Sequence, residues 1–223
     1  MYLSRIELAE AAGLRPEFWK SIVSLDDVHR IVWSWFADDP DRHRDFLYRQ
    51  EGAGRSVRFY TLSPRPPVDP GGFWRIETKE FAPKLATGDC LAFSLRANPT
   101  LRKASGPGEG KRHDVVMDAK FAARSGGGDP QPLAEVVQTK CTGWLLSRAE
   151  SCGFELADGD VRADGYRPVR FYRRRGEGEA SVTTVDFDGR LTVRDPSRFV
   201  DSLTRGIGPA KAFGCGLMLI RRV

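Results

Sequence analysis

The chain has 223 residues, 40% of them hydrophobic and 29% charged, with a formal net charge of +5. That length suits one large domain or two of roughly 100 residues, and the apolar fraction excludes global disorder. No apolar run approaches the roughly 18 residues of a membrane span. The opening MYLSRIELAEAAGL lacks the basic and apolar regions of a secretory signal, so a cytoplasmic protein with no membrane partner is expected.

The charge is uneven. Residues 1–90 carry 13 basic and 14 acidic side chains, and residues 91–223 carry 22 and 16, so the second half holds a net +6. Arginines number 27 against 8 lysines. The planar arginine fork suits bidentate phosphate contacts, which makes nucleic acid the first partner to expect.

In chain order, residues 1–8 read as a strand with Tyr2, Ile6 and Leu8 on one face and Arg5 and Glu7 on the other. Ser24 is placed to cap a helix running to about Trp35, with Asp26 and Asp27 in its first turn and an apolar stripe of Leu25, Val28, Val32 and Trp35 or Phe36. The runs Phe46–Glu51 and Ser56–Leu62 read as a hairpin across Gly52–Gly54. After the breaker SPRPPVDPGG, Trp74–Phe81 alternates as a strand.

From Leu91 the order repeats. Leu91–Arg96 is a strand, and a Gly-, Lys- and Arg-rich loop of some thirty residues leads to a helix over about Leu133–Cys152. Two strands follow near Tyr166–Arg174 and Ser181–Phe187, with an extension at Arg190–Val193. Asp195 as N-cap, Pro196 in the first turn, Phe199, Val200 and Leu203 on the core face and Gly206 as the stop define a compact helix. Gly216–Arg222 is a last strand. The expected fold class is α+β, two tandem ferredoxin-like (RRM-like) βαββαβ domains over residues 1–88 and 89–223.

The four cysteines, Cys90, Cys141, Cys152 and Cys215, form no CxxC pair and have no histidine at zinc-finger spacing, so free thiols and no metal or cofactor are expected. Three other features bear on function. The stretch Gly206–Gly216 sets four glycines and Lys211 between a helix and a strand, where the backbone can approach a phosphate. It is neither a Walker loop nor a dinucleotide fingerprint, and a tight connector is the plainer alternative. The loop Arg96–Arg124 carries seven basic and three acidic residues, including Lys111, Arg112 and His113. Arg162–Arg175 ends in Arg173, Arg174 and Arg175 at a hairpin tip, where a basic finger could enter a nucleic-acid groove. Of three histidines, His43 lies in the charged run DDPDRHRD and reads as solvated surface, and His113 as a phosphate contact. His29, on the first helix beside Arg30, could serve acid–base chemistry, a structural role being the plainer reading of an isolated helical histidine.

Taken together, Met1-Tyr2-Leu3-Ser4, Val28-His29-Arg30, Asp45-Phe46-Leu47-Tyr48, Leu95-Arg96-Ala97-Asn98-Pro99, Gly206-Ile207-Gly208-Pro209-Ala210-Lys211 and Gly214-Cys215-Gly216-Leu217 resemble the CasE family, the repeat-processing endoribonucleases of type I-E CRISPR systems, over nearly the whole chain. The resemblance implies metal-independent cleavage of the repeat hairpin of precursor CRISPR RNA by 2′-OH attack, leaving a 2′,3′-cyclic phosphate and a 5′-OH. It also implies retention of the mature crRNA within a surveillance complex of other subunits. His29 matches the family's catalytic histidine; Asp26 stands where relatives often carry a tyrosine. Lys111, or Arg112 beside it, is a second catalytic candidate, for charge stabilisation. The expected RNA contacts are Arg30, Arg96, Asn98, Lys111, Arg112, Arg173, Arg174, Arg175, Gly206, Gly208 and Lys211. A non-catalytic hairpin-binding module of the same fold is the alternative.

Overall fold

The computed structural model describes residues 1–9, 25–37, 43–52, 56–104, 110–127, 131–157, 159–172 and 179–223. In the first part, strand β1 (Tyr2–Leu8), helix α1 (Leu25–Ser34) and strands β2 (Leu47–Glu51), β3 (Arg58–Ser63) and β4 (Trp74–Glu80) follow the expected order. Ser24, the expected cap of α1, lies outside the described residues. The strands pair antiparallel in the order β2-β3-β1-β4, with Ile6 facing Phe59 on one side and Ile76 on the other. Period-two alternation turns Ser4 and Ile6 inward, where α1 lays Val28 and Val32 over them. The core is aromatic: Trp35 meets Phe59 and Trp74 edge-on, each at 5.2 Å.

A ferredoxin-like unit has a second helix between its third and fourth strands. Here residues 64–73 form bends and a turn with no helix. Prolines 64, 66, 67 and 70 remove the amide donors a helix needs, and side chains anchor the segment in its place. Arg65 pairs with Asp45, donates to the Phe36 carbonyl at 2.9 Å and lies over the Phe36 ring. The Val68 amide donates to the Trp35 carbonyl, and Asp69 accepts from the amides of Gly71 and Trp74.

The second part comprises β5 (Cys90–Ala97), β6 (Thr100–Ala104), β7 (Gly110–Asp114), α2 (Val115–Ser125), α3 (Leu133–Ala149), β8 (Phe154–Glu155), β9 (Val161–Tyr172), β10 (Glu179–Val193), α4 (Pro196–Arg205) and β11 (Met218–Arg222). The sheet runs β11-β5-β10, with β9 and β8 both pairing to β10, so β11-β5-β10-β9 repeats the strand order of the first sheet. Helix α3 buries Val137, Cys141, Trp144 and Leu145, and α4 buries Phe199 and Leu203. Asp195 caps α4 by accepting from the Arg198 amide at 3.0 Å. Both sheets are antiparallel, and the tandem ferredoxin-like class holds.

The thirty-residue loop expected after β5 is a correction. Residues 100–104 and 110–114 form a two-stranded ribbon, and 115–125 a helix that Asp114 caps through the amides of Val116 and Met117. The ribbon carries no apolar alternation because it packs on no second sheet, and α2 buries only Val115 and Val116. Neither element leaves the hydrophobic period by which such elements are recognised. Of the cysteines, all free, Cys141 and Cys215 are buried, Cys152 half-buried and Cys90 exposed. No described helix is long and apolar enough to cross a membrane.

The two sheets meet through Leu47, Leu62 and Leu217. Polar contacts fix the seam: buried Arg49 donates to Ser94 Oγ at 2.9 Å, and Tyr48 Oη–H donates to the Ala212 carbonyl at 2.8 Å.

Candidate nucleic-acid interface

The glycine-rich connector leaves α4 at Gly206 and is closed on itself. The Ile207 amide donates to the Gly216 carbonyl, and the Gly216 amide to the Arg96 carbonyl at 2.7 Å. Gly206 caps α4 with φ +76° above the Leu47 side chain. Gly208 has φ +82°, and a Cβ there would stand 2.9 Å from Trp144 Cη2, so the position accepts no side chain. Ala210 adopts φ 60°, the one non-glycine residue with positive φ among those described. That left-handed backbone costs about 1 kcal/mol and starts the 3₁₀ turn Lys211–Phe213.

Beyond this turn lies an open cleft of about 620 Å³, lined by Arg44, Thr100, Leu101, Arg102, Arg112, Arg148, Gly208, Pro209, Ala210 and Lys211. Among the described residues, five cations line it and no carboxylate does. Arg44 comes from the first part of the chain, Arg102 and Arg112 from the ribbon, Arg148 from α3 and Lys211 from the connector. Trp144 ties these pieces together: its indole donates to the Thr100 carbonyl at 3.0 Å, its edge meets Gly208, and the Arg148 guanidinium stacks over it at 4.2 Å.

The charges press on one another. Burial lowers the pKa of Lys211, and the nearby charges of Arg44 and Arg205 lower it further. Burial also lowers Arg44 and Arg148. Arg44 Nη1 is a buried donor with no hydrogen-bond partner among the described residues. On the ribbon, Arg102 stands directly opposite Arg112 and Lys103 opposite Lys111. Like charges directly across a strand pair are destabilising. A cleft of mutually repelling, partly desolvated cations is matched by a polyanion with phosphate oxygens to fill it.

The ribbon also separates two expected site residues. Because side chains alternate faces, Arg112 lines the cleft, while Lys111 projects from the other face beside Lys103, whose ammonium pairs with Asp118. Lys111 is therefore not brought to the cleft. Arg96 forks onto Asp186 through Nε (2.7 Å) and Nη2 (2.8 Å) and donates from Nη1 to the Gln50 carbonyl at 2.7 Å. Its charge is paired within the second sheet, one hydrogen bond crosses to the first, and the side chain lines a second groove. Asn98 is buried and donates to the Thr183 carbonyl at 2.6 Å, joining the ends of β5 and β10. Arg173, Arg174 and Arg175 lie outside the described residues.

Helix α1 packs against β9 and against the turn Lys211–Phe213, with Val28 in that second groove with Phe213 and Gly214; His29 and Arg30 follow Val28 on the helix. The bend of β9 helps: Gly165, at φ +63°, marks a bulge where the pairing with β10 shifts register between Thr184 and Asp186. Beyond it Arg167, Pro168 and Val169 form a wall facing Val28 and Phe213 across this groove of about 680 Å³. His29 is half-buried, and its Nε2 accepts from the Trp33 indole at 2.8 Å. His43 and His113 are exposed.

Sequence reading alone missed Arg44, Arg102, Arg148 and Trp33. Two left a local signal: Arg148 follows Trp144 by four helical residues, and Trp33 follows His29 by four, the spacing at which helical side chains meet.

Residues 1–222 match the family model described as CRISPR associated protein. The chain is 35% identical over 234 residues to the CRISPR-associated endoribonuclease Cse3 of Thermus thermophilus, covering 91% of this chain and 99% of that protein. It is 29% identical over 222 residues to the CRISPR system Cascade subunit CasE of Escherichia coli, covering 98% of each. Among solved structures, CRISPR endoribonuclease Cse3 bound to a 19-nucleotide RNA superimposes with a TM-score of 0.74 at 26% identity, over 99% of this chain and 100% of that one. With the fold, the connector and the family match agreeing, the chain belongs to the CRISPR-associated CasE (Cse3) family.

Proposed function

We propose that this protein is an endoribonuclease that binds the repeat hairpin of precursor CRISPR RNA, cuts it by 2′-OH attack and stays with the product in a surveillance complex. The observation that carries the reading is a cleft with five cations and no carboxylate among the described residues, one of whose cations, Lys211, sits on the turn that packs against the helix bearing His29. The relatives' names, a CRISPR-associated endoribonuclease and a Cascade subunit, support RNA cleavage and the assembly. Within this reading the chain divides at residues 88 and 89, and the cleft lies on the seam.

The nucleophile of such a reaction belongs to the substrate, so the protein's tasks are in-line geometry, proton movement and charge neutralisation. His29 moves a proton as general acid or base, since an imidazole titrates near neutrality. Lys211 neutralises phosphate charge near the cut, because its turn packs on α1, and Arg44, Arg102, Arg112 and Arg148 hold the backbone on the cleft side. Gly206 and Gly208 shape the connector so that its backbone approaches the RNA, and Arg30 flanks the strand. Arg96 and Asn98 act from behind, Arg96 by its one bond across the sheets and Asn98 by joining β5 to β10. Arg173, Arg174 and Arg175 grip the stem, to which Lys111 adds a weaker contact from the ribbon's other face.

The test is cleavage of the repeat hairpin by the purified chain in EDTA, beside the same RNA with one 2′-deoxy sugar at the scissile position. Cutting of the first, survival of the second and a 2′,3′-cyclic phosphate or its opened form on the product are expected. Tight binding without cutting of either RNA overturns the enzyme reading in favour of a binding module. Cutting that EDTA abolishes overturns its metal independence.

A further inference from the structure

We propose that Trp33 is a positioning residue for His29, its indole N–H fixing the imidazole in the tautomer that keeps the lone pair on Nε2 and the proton on Nδ1. The catalytic half of this inference rests on the role given to His29 above; the tautomer half does not.

The two rings are one helical turn apart on α1, and Trp33 Nε1 lies 2.8 Å from His29 Nε2. An indole N–H can only donate, so the nitrogen it meets is an acceptor and carries no proton. The ring planes stand at 70° with centroids 6.0 Å apart, so the indole presents its N–H edge to the imidazole instead of stacking on it.

The indole is itself held from behind. Its ring meets Phe46 edge-on at 5.3 Å, and Phe46 stacks on Phe36 at 4.5 Å. Phe36 and Phe46 are buried, and Arg65 covers Phe36 while binding its carbonyl and pairing with Asp45. The chain of contacts from Arg65 through Phe36, Phe46 and Trp33 to His29 uses the proline-rich crossover as its base. That segment replaces the missing second helix, and it thereby acquires a part in the chemistry that an ordinary connector lacks. A donor held this firmly fixes the direction of the ring and leaves Nδ1–H, a donor, as the nitrogen a phosphate oxygen of the substrate meets.

Trp33→Phe keeps an aromatic ring against Phe46 and removes only the donor. The chain has three histidines, so ring-nitrogen NMR of the free protein at about pH 8, where an ordinary imidazole is neutral, resolves His29 by comparison with His29→Gln. In the wild type, Nδ1–H is expected as the dominant tautomer of His29, and in Trp33→Phe a shift toward Nε2–H. A wild-type His29 already protonated on Nε2, or a spectrum that Trp33→Phe leaves unchanged, overturns the assignment.

In single-turnover cleavage, Trp33→Phe should slow the cut about tenfold, the scale of one hydrogen bond, with hairpin affinity unchanged. Weakened binding with an unchanged rate of cutting overturns the positioning role. If the Phe variant does not fold, the benzothienyl analogue of tryptophan, equal in shape and lacking the N–H, makes the same comparison. Should His29→Gln cut at the wild-type rate, the catalytic role of His29 fails, while the tautomer result still stands or falls on the spectrum.

Discussion

The first sheet runs β2-β3-β1-β4 and the second β11-β5-β10-β9, so one strand order is closed over by different material in each. The first carries one described helix and a helix-free crossover pinned by Arg65, Asp69 and the Val68 amide. The second carries two helices of the ordinary kind and, in addition, a cationic ribbon and helix inserted after β5. A ferredoxin-like unit can therefore lose a helix if prolines stiffen the replacement, lowering the entropy it loses on folding, and if side chains satisfy the backbone. The work is divided too. The imidazole stands on the reduced unit, most of the cations on the enlarged one, and the cleft exists only where they meet.

Gly208→Val should have the largest effect on that arrangement. It drives a branched side chain into Trp144 and strains a left-handed backbone, and about 3 kcal/mol of lost stability in urea is expected. Gly72, in the crossover region, has φ +65° but open space around it; Gly72→Ala should cost about 1 kcal/mol. Equal losses at the two sites would refute the claim that packing, and not backbone alone, selects glycine in the connector.

Arg65→Met comes next. It removes a partly buried ion pair and the donor to Phe36, at a cost of about 2 kcal/mol. Hydrogen exchange should quicken at the Val68 amide more than in β5 or β10, and uniform quickening would mean that the two units do not differ in what holds them.

On the ribbon, Arg112→Ala should lower hairpin affinity and reduce the slope of log affinity against log salt by about 0.7–0.9, one phosphate contact. Lys111→Ala, on the opposite face, should change the slope less. The reverse ranking would turn the ribbon over.

The smallest effect belongs to Glu7, on the face of the first sheet turned away from α1. Arg75 and then Arg58, by hydrogen bonding, hold its carboxyl at about 2, below the ordinary 4.5. A carboxyl depressed in the folded state stabilises it above the unfolded value and loses that stability as pH falls. Glu7→Gln should therefore lower stability near neutrality and flatten the acid limb between about 4.5 and about 2, the two proteins converging below that range. A variant whose acid limb matches the wild type would show that the arginines stabilise the sheet by packing alone.

Much of this was readable in advance where the signal is local. Asp195, Pro196 and Gly206 bound α4 through capping chemistry that needs only neighbours in sequence. The alternation of β1 and the part of the α1 stripe from Val28 through Val32 to Trp35 and Phe36 read correctly because each has one buried face. The ribbon β6–β7 did not, since both its faces are charged and its register depends on a partner strand. The cationic residues divided in the same way: Arg112 and Lys111 are adjacent in sequence, and only pairing into a strand shows that they face opposite ways.

By itself, then, the sequence determined the fold class, the basic character of the second half, the glycine connector and the candidacy of His29, because each is a pattern among residues near one another in the chain. Only the tertiary structure decided that Arg96 spends its fork on Asp186, that Arg44 joins Arg148 and Lys211 in one cleft, and that a proline crossover braces Trp33 behind His29. Those contacts join residues far apart in the chain. A guanidinium's role depends on whether the atoms that fold against it are carboxylates or other cations.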